Sequence, residues 1–355
     1  MAVSLVSNQS TYAANMYLSA TLSEYIEKMA FDQVFNSIPF FQWLFGANQE
    51  IAQTTLVQDQ VAASGILDLR SGGRDIDFPA RIGQNTTVDS LEFYDLVDVT
   101  PQEGFTTLSV AWKMYGGSIS VSLHEELLNA NLEQRILDVV KEKTLQAMAE
   151  LKDVLADHLY LGNNGSLTKS TDIHGMPYYV GTDPTSGTVA TVDNSAVTWF
   201  RNQYNGTSQT ITDTTPSFAA NGLKYWYQMM LDCSAGQGTD EVDAIFTDKL
   251  TSTYAFLKLQ PQQRYTETDK GDAGFRGRIW FMDTPVIWDG KAPSGRSYHL
   301  NSRTWKLIAH RDANMASTDF VEAQDQFARV AKVLWFGNLV CTEPRRNGVI
   351  SGWTA

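Results

Sequence analysis

Between residues 123 and 161 the sequence holds neither proline nor glycine, and its apolar residues keep to one stripe. Leu137, Val140, Thr144, Met148, Leu151, Leu155 and Leu159 step by three or four, the period of one helix face. Glu133, Gln134, Arg135, Asp138, Lys141, Glu142, Glu150, Lys152 and Asp153 supply the solvated side, and Gly162-Asn-Asn-Gly165 ends the run. At about 1.5 Å per residue this is a helix on the order of 50–60 Å long, against an ordinary globular helix of about 11–12 residues. The stripe covers only about three heptads and its step drifts toward about 3.7, so it predicts a helix lying across a sheet rather than a coiled coil.

Ahead of the helix, residues 66–122 change period. Ile76, Phe78, Ala80 and Ile82 alternate with Asp75, Asp77, Pro79 and Arg81, a two-residue repeat that predicts a strand. Polar Gly83-Gln-Asn-Thr-Thr87 follows, and Leu91 to Val99 reads as a less regular strand. Leu108, Val110, Trp112 and Met114 then alternate with Ser109, Ala111, Lys113 and Tyr115. Together these predict an extended hairpin, which cannot bury both faces alone. It needs a partner.

Residues 11–38 place Tyr17, Leu18, Leu22, Tyr25, Ile26, Met29, Phe31, Val34 and Phe35 near helical spacing. Pro39 interrupts, and Phe40, Phe41, Trp43, Leu44 and Phe45 follow almost without polar relief. That aromatic surface must be covered, by the rest of the fold or by a neighbouring subunit; the sequence leaves both open. Residues 163–215, rich in Thr, Ser, Gly and Asn, read as loops and short strands around an apolar island at Ile173–Val180. Beyond them, a helix over 217–232, a strand at Val242–Phe246 and a helix at Thr251–Leu259 ended by Pro261 alternate. Strands within Ile279–Trp288, Tyr298–Leu300 and Thr304–Ile308 complete a mixed α/β layer. Phe327–Leu334 and Asn338–Cys341 read as closing strands before Pro344-Arg-Arg-Asn-Gly348.

The composition, 43% hydrophobic and 19% charged, is that of a folded chain long enough for two or three compact units. No apolar run of about 18 residues predicts a membrane span, and the first ten residues do not read as a secretory signal, which leaves the cytoplasm as the place of synthesis. Cys233 and Cys341 are too few and too far apart for a disulfide framework or zinc cluster and read as core thiols. The net charge of −13, without a basic stripe, argues against a grip on nucleic-acid phosphates. Among His124, His158, His174, His299 and His310 there is no metal helix, and no phosphate loop or nucleophile elbow appears. Gly271-Asp-Ala-Gly-Phe-Arg-Gly277 lacks the lysine of a nucleotide loop, and the pairs Asp75/Asp77 and Glu125/Glu126 read as solvated faces. No catalytic residue, metal or cofactor is assigned. A glycan-active β-rich enzyme has only the 9 Trp and 14 Tyr to support it.

The order of parts resembles the HK97-type α+β fold of tailed-bacteriophage major capsid proteins and encapsulin nanocompartments. Two stretches resemble C-terminal segments of phage capsid proteins in wording: Ser297-Tyr-His-Leu-Asn-Ser-Arg-Thr-Trp-Lys-Leu307 and Phe336-Gly-Asn-Leu-Val-Cys-Thr-Glu-Pro-Arg-Arg-Asn-Gly-Val-Ile350. The resemblance implies an N-terminal arm at 1–65, an E-loop hairpin at 66–120, and a peripheral domain at 121–215 with its spine helix at 123–161. An axial domain at 216–325 and a return to the peripheral domain at 326–355 complete it. It implies a virion shell protein assembled in the host cytoplasm, with many copies of itself in hexamers and pentamers enclosing DNA without sequence-specific binding. A separate scaffolding protein (or a mature form), a portal and a decoration or cement protein are further expected partners. An encapsulin-like compartment is the alternative. Candidate subunit-interface residues are Phe40, Phe41, Trp43, Phe45, Phe78, Arg81, Trp112, Arg345 and Arg346. Some relatives cross-link lysine to asparagine between subunits; Lys113 lies in the E-loop, but its presence alone assigns no bond.

Overall fold

The computed structural model describes residues 39–45, 67–122, 124, 139–162, 169–259 and 279–354, apart from 82, 84, 94, 103, 207, 208, 235, 237–240, 324 and 325. The residue 1–38 arm, the first half of the expected long helix and the Gly271–Gly277 loop lie outside the described residues. Helix α1 (Pro39–Phe45) precedes strands β1 (Leu67–Arg70), β2 (Ile76–Arg81), β3 (Phe105–Val110) and β4 (Lys113–Ser122). Helix α2 (Val139–Leu161), the single turn α3 (Met176–Tyr179) and short strands β5 (Thr188–Val189), β6 (Val192–Asp193) and β7 (Gln203–Tyr204) follow. Next come α4 (Phe218–Cys233), β8 (Ala244–Thr247), α5 (Lys249–Leu259), β9 (Ile279–Phe281), β10 (Thr284–Trp288), β11 (Arg296–Leu300) and β12 (Trp305–His310). Strands β13 (Ala316–Ser317), β14 (Val321–Glu322), β15 (Ala328–Cys341) and β16 (Gly348–Ser351) close the chain. Two compact units result, the larger from Ile38–Met114, Leu155–Asp312 and Phe336–Ala355, the smaller including Tyr115–Val154 and Ala313–Trp335.

The larger unit holds a six-stranded sheet in the order β7-β16-β11-β8-β10-β9. All four residues of β8 are buried, because both faces of the sheet are covered there. On one face Phe218, Trp226, Met229 and Cys233 of α4 and Ala255 of α5 form an apolar cluster with Ile245, Val286 and Ile350. Gly348 permits this approach: a Cβ there would lie 2.3 Å from Met229 Sδ and 2.9 Å from Cys233 Sγ. His299, paired with Gly348 across β11 and β16, is wholly buried against Trp226, and burial lowers its pKa to about 3. It is a neutral core histidine.

On the opposite face Phe246 meets Phe40 at 5.2 Å and Trp43 at 5.5 Å, both edge-on, and Phe40 packs on Tyr160 at 5.0 Å. Buried Asp289 accepts hydrogen bonds through Oδ2 from the Phe40 N–H (3.2 Å) and the Tyr160 hydroxyl (3.1 Å), tying α1 to the end of α2. The aromatic run that starts at Phe40 therefore finds cover inside its own chain. Each such ring contributes about 1.5–3 kcal/mol by leaving water.

A second sheet pairs β1 parallel to β12, and β12 antiparallel to β15. The chain leaves β11 through Asn301–Thr304 into β12, and leaves β15 through Thr342–Asn347 into β16. Because β11 pairs with β16 while β12 pairs with β15, two neighbouring lanes run from one sheet to the other. These lanes are the two stretches whose wording resembles phage capsid proteins. Trp305–His310 thus pairs outside the sheet that holds the rest of 279–300, and Gly348–Ser351 pairs with β11 rather than beside β12.

Asn347 joins the lanes. Its Oδ1 accepts from the Asn301 N–H (3.0 Å) and Trp305 Nε1 (2.9 Å). Its Nδ2 donates to Thr304 Oγ1 (2.9 Å) and to the Glu343 carbonyl (3.2 Å).

Helix α2 stops at Leu161, where Gly162 was expected to end it, and buries Leu151, Leu155, Leu159 and Tyr160. The chain folds back against this helix end too closely for a side chain: a Cβ on Gly162 would lie 2.3 Å from the Ile173 carbonyl and 2.5 Å from that of His158. Gly162→Ala should therefore force a backbone shift and lower stability by about 1–3 kcal/mol, read as an earlier urea midpoint at unchanged slope.

In the smaller unit β13 and β14 run antiparallel to β15, which also pairs with β4. Ile119, Val121, Ala331 and Val333 are buried there, Tyr115 lies 5.9 Å from Trp335 between ring centres, and Lys143 of α2 donates to the Ser120 carbonyl. The stretches Phe327–Leu334 and Asn338–Cys341, expected as two strands, are one continuous strand, β15. Free Cys233 and Cys341 are both buried, and burial raises both thiols, Cys341 to about 12.

Candidate assembly surface

The hairpin starts from a firm base. β2 and β3 pair antiparallel from Ile76↔Val110 to Arg81↔Phe105. Their alternation puts Ile76, Phe78, Leu108 and Val110 on a covered side and Asp77, Pro79 and Arg81 in solvent. Past the Arg81–Phe105 pair the ladder stops, closed by Gly83 N–H donating to the Gly104 carbonyl at 3.1 Å.

From there the described residues of 83–104 form no strand. The strand expected at Leu91–Val99 is instead irregular, since among the described residues no other segment pairs with it and acidic side chains cap its N–H groups. Asp95 Oδ2 accepts from Glu92 N–H at 2.8 Å, and Asp98 Oδ1 accepts from the Thr100 N–H at 3.0 Å and hydroxyl at 2.6 Å. The Thr100 hydroxyl and then its N–H hold the Asp98 carboxyl below its ordinary pKa.

Val88, Leu91, Phe93, Leu96, Val97, Val99 and Phe105 all stand in solvent, Leu96 at 94% and Val99 at 88% exposure. Asp89, Glu92, Asp95 and Asp98 interleave with them, and the sequence has no basic residue between Arg81 and Lys113. The tip is thus an apolar strip with only negative charge on it. A concentration of exposed apolar side chains of this kind marks a surface that something covers. In the smaller unit Val321 and Phe327 are likewise exposed, beside the β14–β15 pairing.

At the root the chain is held at three successive residues. The Ala111 carbonyl accepts from Asn338 Nδ2 at 2.7 Å. Trp112 stacks on Phe336 with centroids 5.1 Å apart and planes 9° from parallel. Lys113 Nζ donates to the Ser170 carbonyl, and burial lowers its pKa. The lysine that the resemblance brought up for cross-linking is therefore turned onto its own chain.

The structure scatters the residues singled out from sequence. Phe40 is fully buried and Phe78 is 8% exposed, so neither offers a free face. Trp43 and Trp112 are half-buried against Phe246 and Phe336. The side chains of Phe41 and Phe45 lie outside the described residues. Arg81 is exposed at the end of the ladder, where it flanks the tip. Arg345 is exposed, whereas Arg346 is half-buried with Nε 3.4 Å from Glu343 Oε2. Sequence reasoning missed the tip residues because their rough alternation passed for a strand. The absence of any basic residue among them was the signal available.

No protein-family model and no curated protein sequence matches the chain. Solved structures do. The capsid of cyanophage A-1(L) superposes with a TM-score of 0.66 at 13% identity, covering 95% of this chain and 99% of that one. The capsid of Myoviridae phage XM1 gives 0.53 at 12% identity over 93% and 96%. The SrpI encapsulin of Synechococcus elongatus gives 0.51 at 9% identity over 90% and 96%. These likenesses show the fold: it is the HK97-like capsid fold, a mixed α+β architecture.

Proposed function

We propose that this chain is the major capsid protein of a tailed phage, a structural protein and not an enzyme, building the icosahedral shell around packaged double-stranded DNA. The observation that carries the reading is the hairpin tip, whose apolar residues have no cover among the described residues, on a fold otherwise packed on both sides of its main sheet. Laid on a second copy, the tip gains about 25 cal/mol per Å² of apolar surface removed from water. A head-to-tail contact of this sort, repeated around a closed shell, multiplies a modest pairwise energy.

Within this reading residues 1–65 are the arm, 66–120 the E-loop, 121–215 the peripheral domain, 216–325 the axial domain and 326–355 the return. Arg81, at the edge of the tip, and exposed Arg345 are the surviving charged candidates for contacts between copies. Hexamers and pentamers, a separate scaffolding protein, a portal, an optional cement protein and assembly in the host cytoplasm belong to the same proposal. The encapsulin likeness supplies the alternative, a shell around protein cargo. Electron microscopy of the purified chain decides the main point: closed particles or capsomer rings are expected. Uniform monomers at all concentrations would overturn it, and particles that load a protein cargo in place of DNA would favour the alternative.

A further inference from the structure

Away from the hairpin tip, the larger unit has two apolar surfaces without cover among the described residues, and they carry opposite charge. The first is the outer side of α5. Thr251 and Ala255 are buried on its inner side, whereas Leu250 (51% exposed), Thr253 and Leu257 (57%) recur at helical spacing on the side turned to solvent. The helix has no acidic residue, and its charges are Lys249 and Lys258. Asp248, just ahead of it, is buried, and its Oδ1 accepts from the Thr251 N–H at 3.2 Å. Lys258 donates to the Ala219 carbonyl of α4, and Lys249 stands exposed at the head of the stripe.

The second surface is the corner between β9 and β10. Phe281 pairs with Thr284, so Met282 and Asp283 make the whole turn, both at positive φ (48° and 68°). Two-residue turns of this hand favour Asn and Gly, so a methionine here is unusual and the corner is tight. Ile279 and Phe281 pack into the apolar cluster under α4 and α5, and strand alternation turns Trp280 to the opposite face of the sheet. Trp280 is 55% and Met282 58% exposed, and Asp283 is the sole charged residue in Ile279–Trp288. Trp280 and α5 lie on opposite faces of the sheet, so a chain cannot lay this corner on its own helix. A second copy can.

We propose that the β9–β10 corner of one copy docks on the outer side of α5 of a second copy. Trp280 and Met282 then meet Leu250 and Leu257, and the Asp283 carboxylate meets the Lys249 ammonium. This rests on the shell reading and gives it a contact separate from the hairpin tip. Charge decides the pairing: α5 against α5 would oppose lysines, and corner against corner would oppose aspartates. The hairpin tip is acidic too, but it brings Asp89, Glu92, Asp95 and Asp98 to a helix with two lysines, one already bonded to Ala219. The two docking surfaces differ, so the contact is head-to-tail, the kind that closes rings. Tryptophan and methionine are enriched at the centres of such contacts, where a few side chains carry most of the affinity.

The test compares the full-length chain with Trp280→Ser, Asp283→Lys, Lys249→Asp and the double variant Asp283→Lys/Lys249→Asp. The protein concentration at half-assembly is read by sedimentation at low ionic strength, where charge is least screened. All three residues are exposed, and thermal midpoints confirm that each variant folds. Trp280→Ser should raise that concentration by about 30-fold or more. Each single charge reversal should raise it by about tenfold, and the double variant should return most of the loss, because the pair is restored with its signs exchanged. Wild-type shells that form equally well in both single reversals overturn this contact and leave the shell reading standing. A loss in Lys249→Asp with none in Asp283→Lys overturns it as well, and assigns α5 to the tip. So does a loss in both that the double variant does not repair. If Asp283→Lys disturbs the turn and does not fold, Trp280→Ser assembling like wild type overturns the contact equally. A wild type that stays monomeric at every concentration overturns this contact and the shell reading together.

Discussion

Replacing Leu91, Phe93, Leu96 and Val97 together by serine should give a chain that folds normally and forms no closed particle. All four side chains are exposed in the single chain, so their removal takes nothing from its core. Surface changes of this kind usually alter stability by less than about 0.5 kcal/mol each, and the thermal midpoint should hardly move. Assembly is another matter. If each side chain is covered by a neighbour, each contributes up to about 1.5–3 kcal/mol to that contact, and losing several weakens it by more than about 1,000-fold. Sedimentation and negative-stain images of wild type and variant at equal concentration read this directly. The base of the hairpin is the wrong target, because Ile76, Leu108 and Val110 belong to the core and their loss would confound folding with assembly. Variant shells of normal size and yield would show that the tip does not hold copies together.

Asn347→Ala should destabilise the chain more than any single surface change. The buried amide satisfies two donors, the Asn301 N–H and Trp305 Nε1, and itself donates to Thr304 and Glu343. Alanine leaves both donors buried without an acceptor, at about 1–3 kcal/mol each, so a loss of about 3–5 kcal/mol is expected. That is a large fraction of the about 5–15 kcal/mol that holds an ordinary domain folded. Urea unfolding followed by tryptophan fluorescence measures it, since Trp305 sits in the network. A loss below about 1 kcal/mol would mean that water replaces the amide without penalty and that the lanes are held by strand pairing alone.

Much of the architecture was legible in the sequence because it obeys local rules. The α2 stripe ends at its glycine, α4 starts just past Pro216, and the Ile76–Arg81 alternation is a strand with the expected inner face. What was not legible depends on contacts distant along the chain. Phe40 looked like interface material, yet Phe246 and Tyr160, far along the chain, enclose it. Leu91–Val99 has strand-like composition, but a strand exists only when another lies beside it, and periodicity does not report the missing neighbour. Phe78 carried the signal of a sticky surface and turned out to be the floor of the hairpin. Asn347 had no distinguishing pattern at all, because a hub is defined by what converges on it.

The uniform sign of charge on the tip has a consequence for the free subunit. A bare strip of Leu, Phe and Val would make newly made chains clump indiscriminately, and flanking carboxylates act as gatekeepers against that. Two tips repel one another, so in the proposed shell the strip would seat only where a receiving surface offers apolar contact without added negative charge. Salt shortens the reach of this repulsion to about 8 Å at physiological ionic strength. The same carboxylates that keep monomers soluble in dilute buffer would then set the ionic strength above which they join, making closure of the shell responsive to the medium as well as to protein concentration.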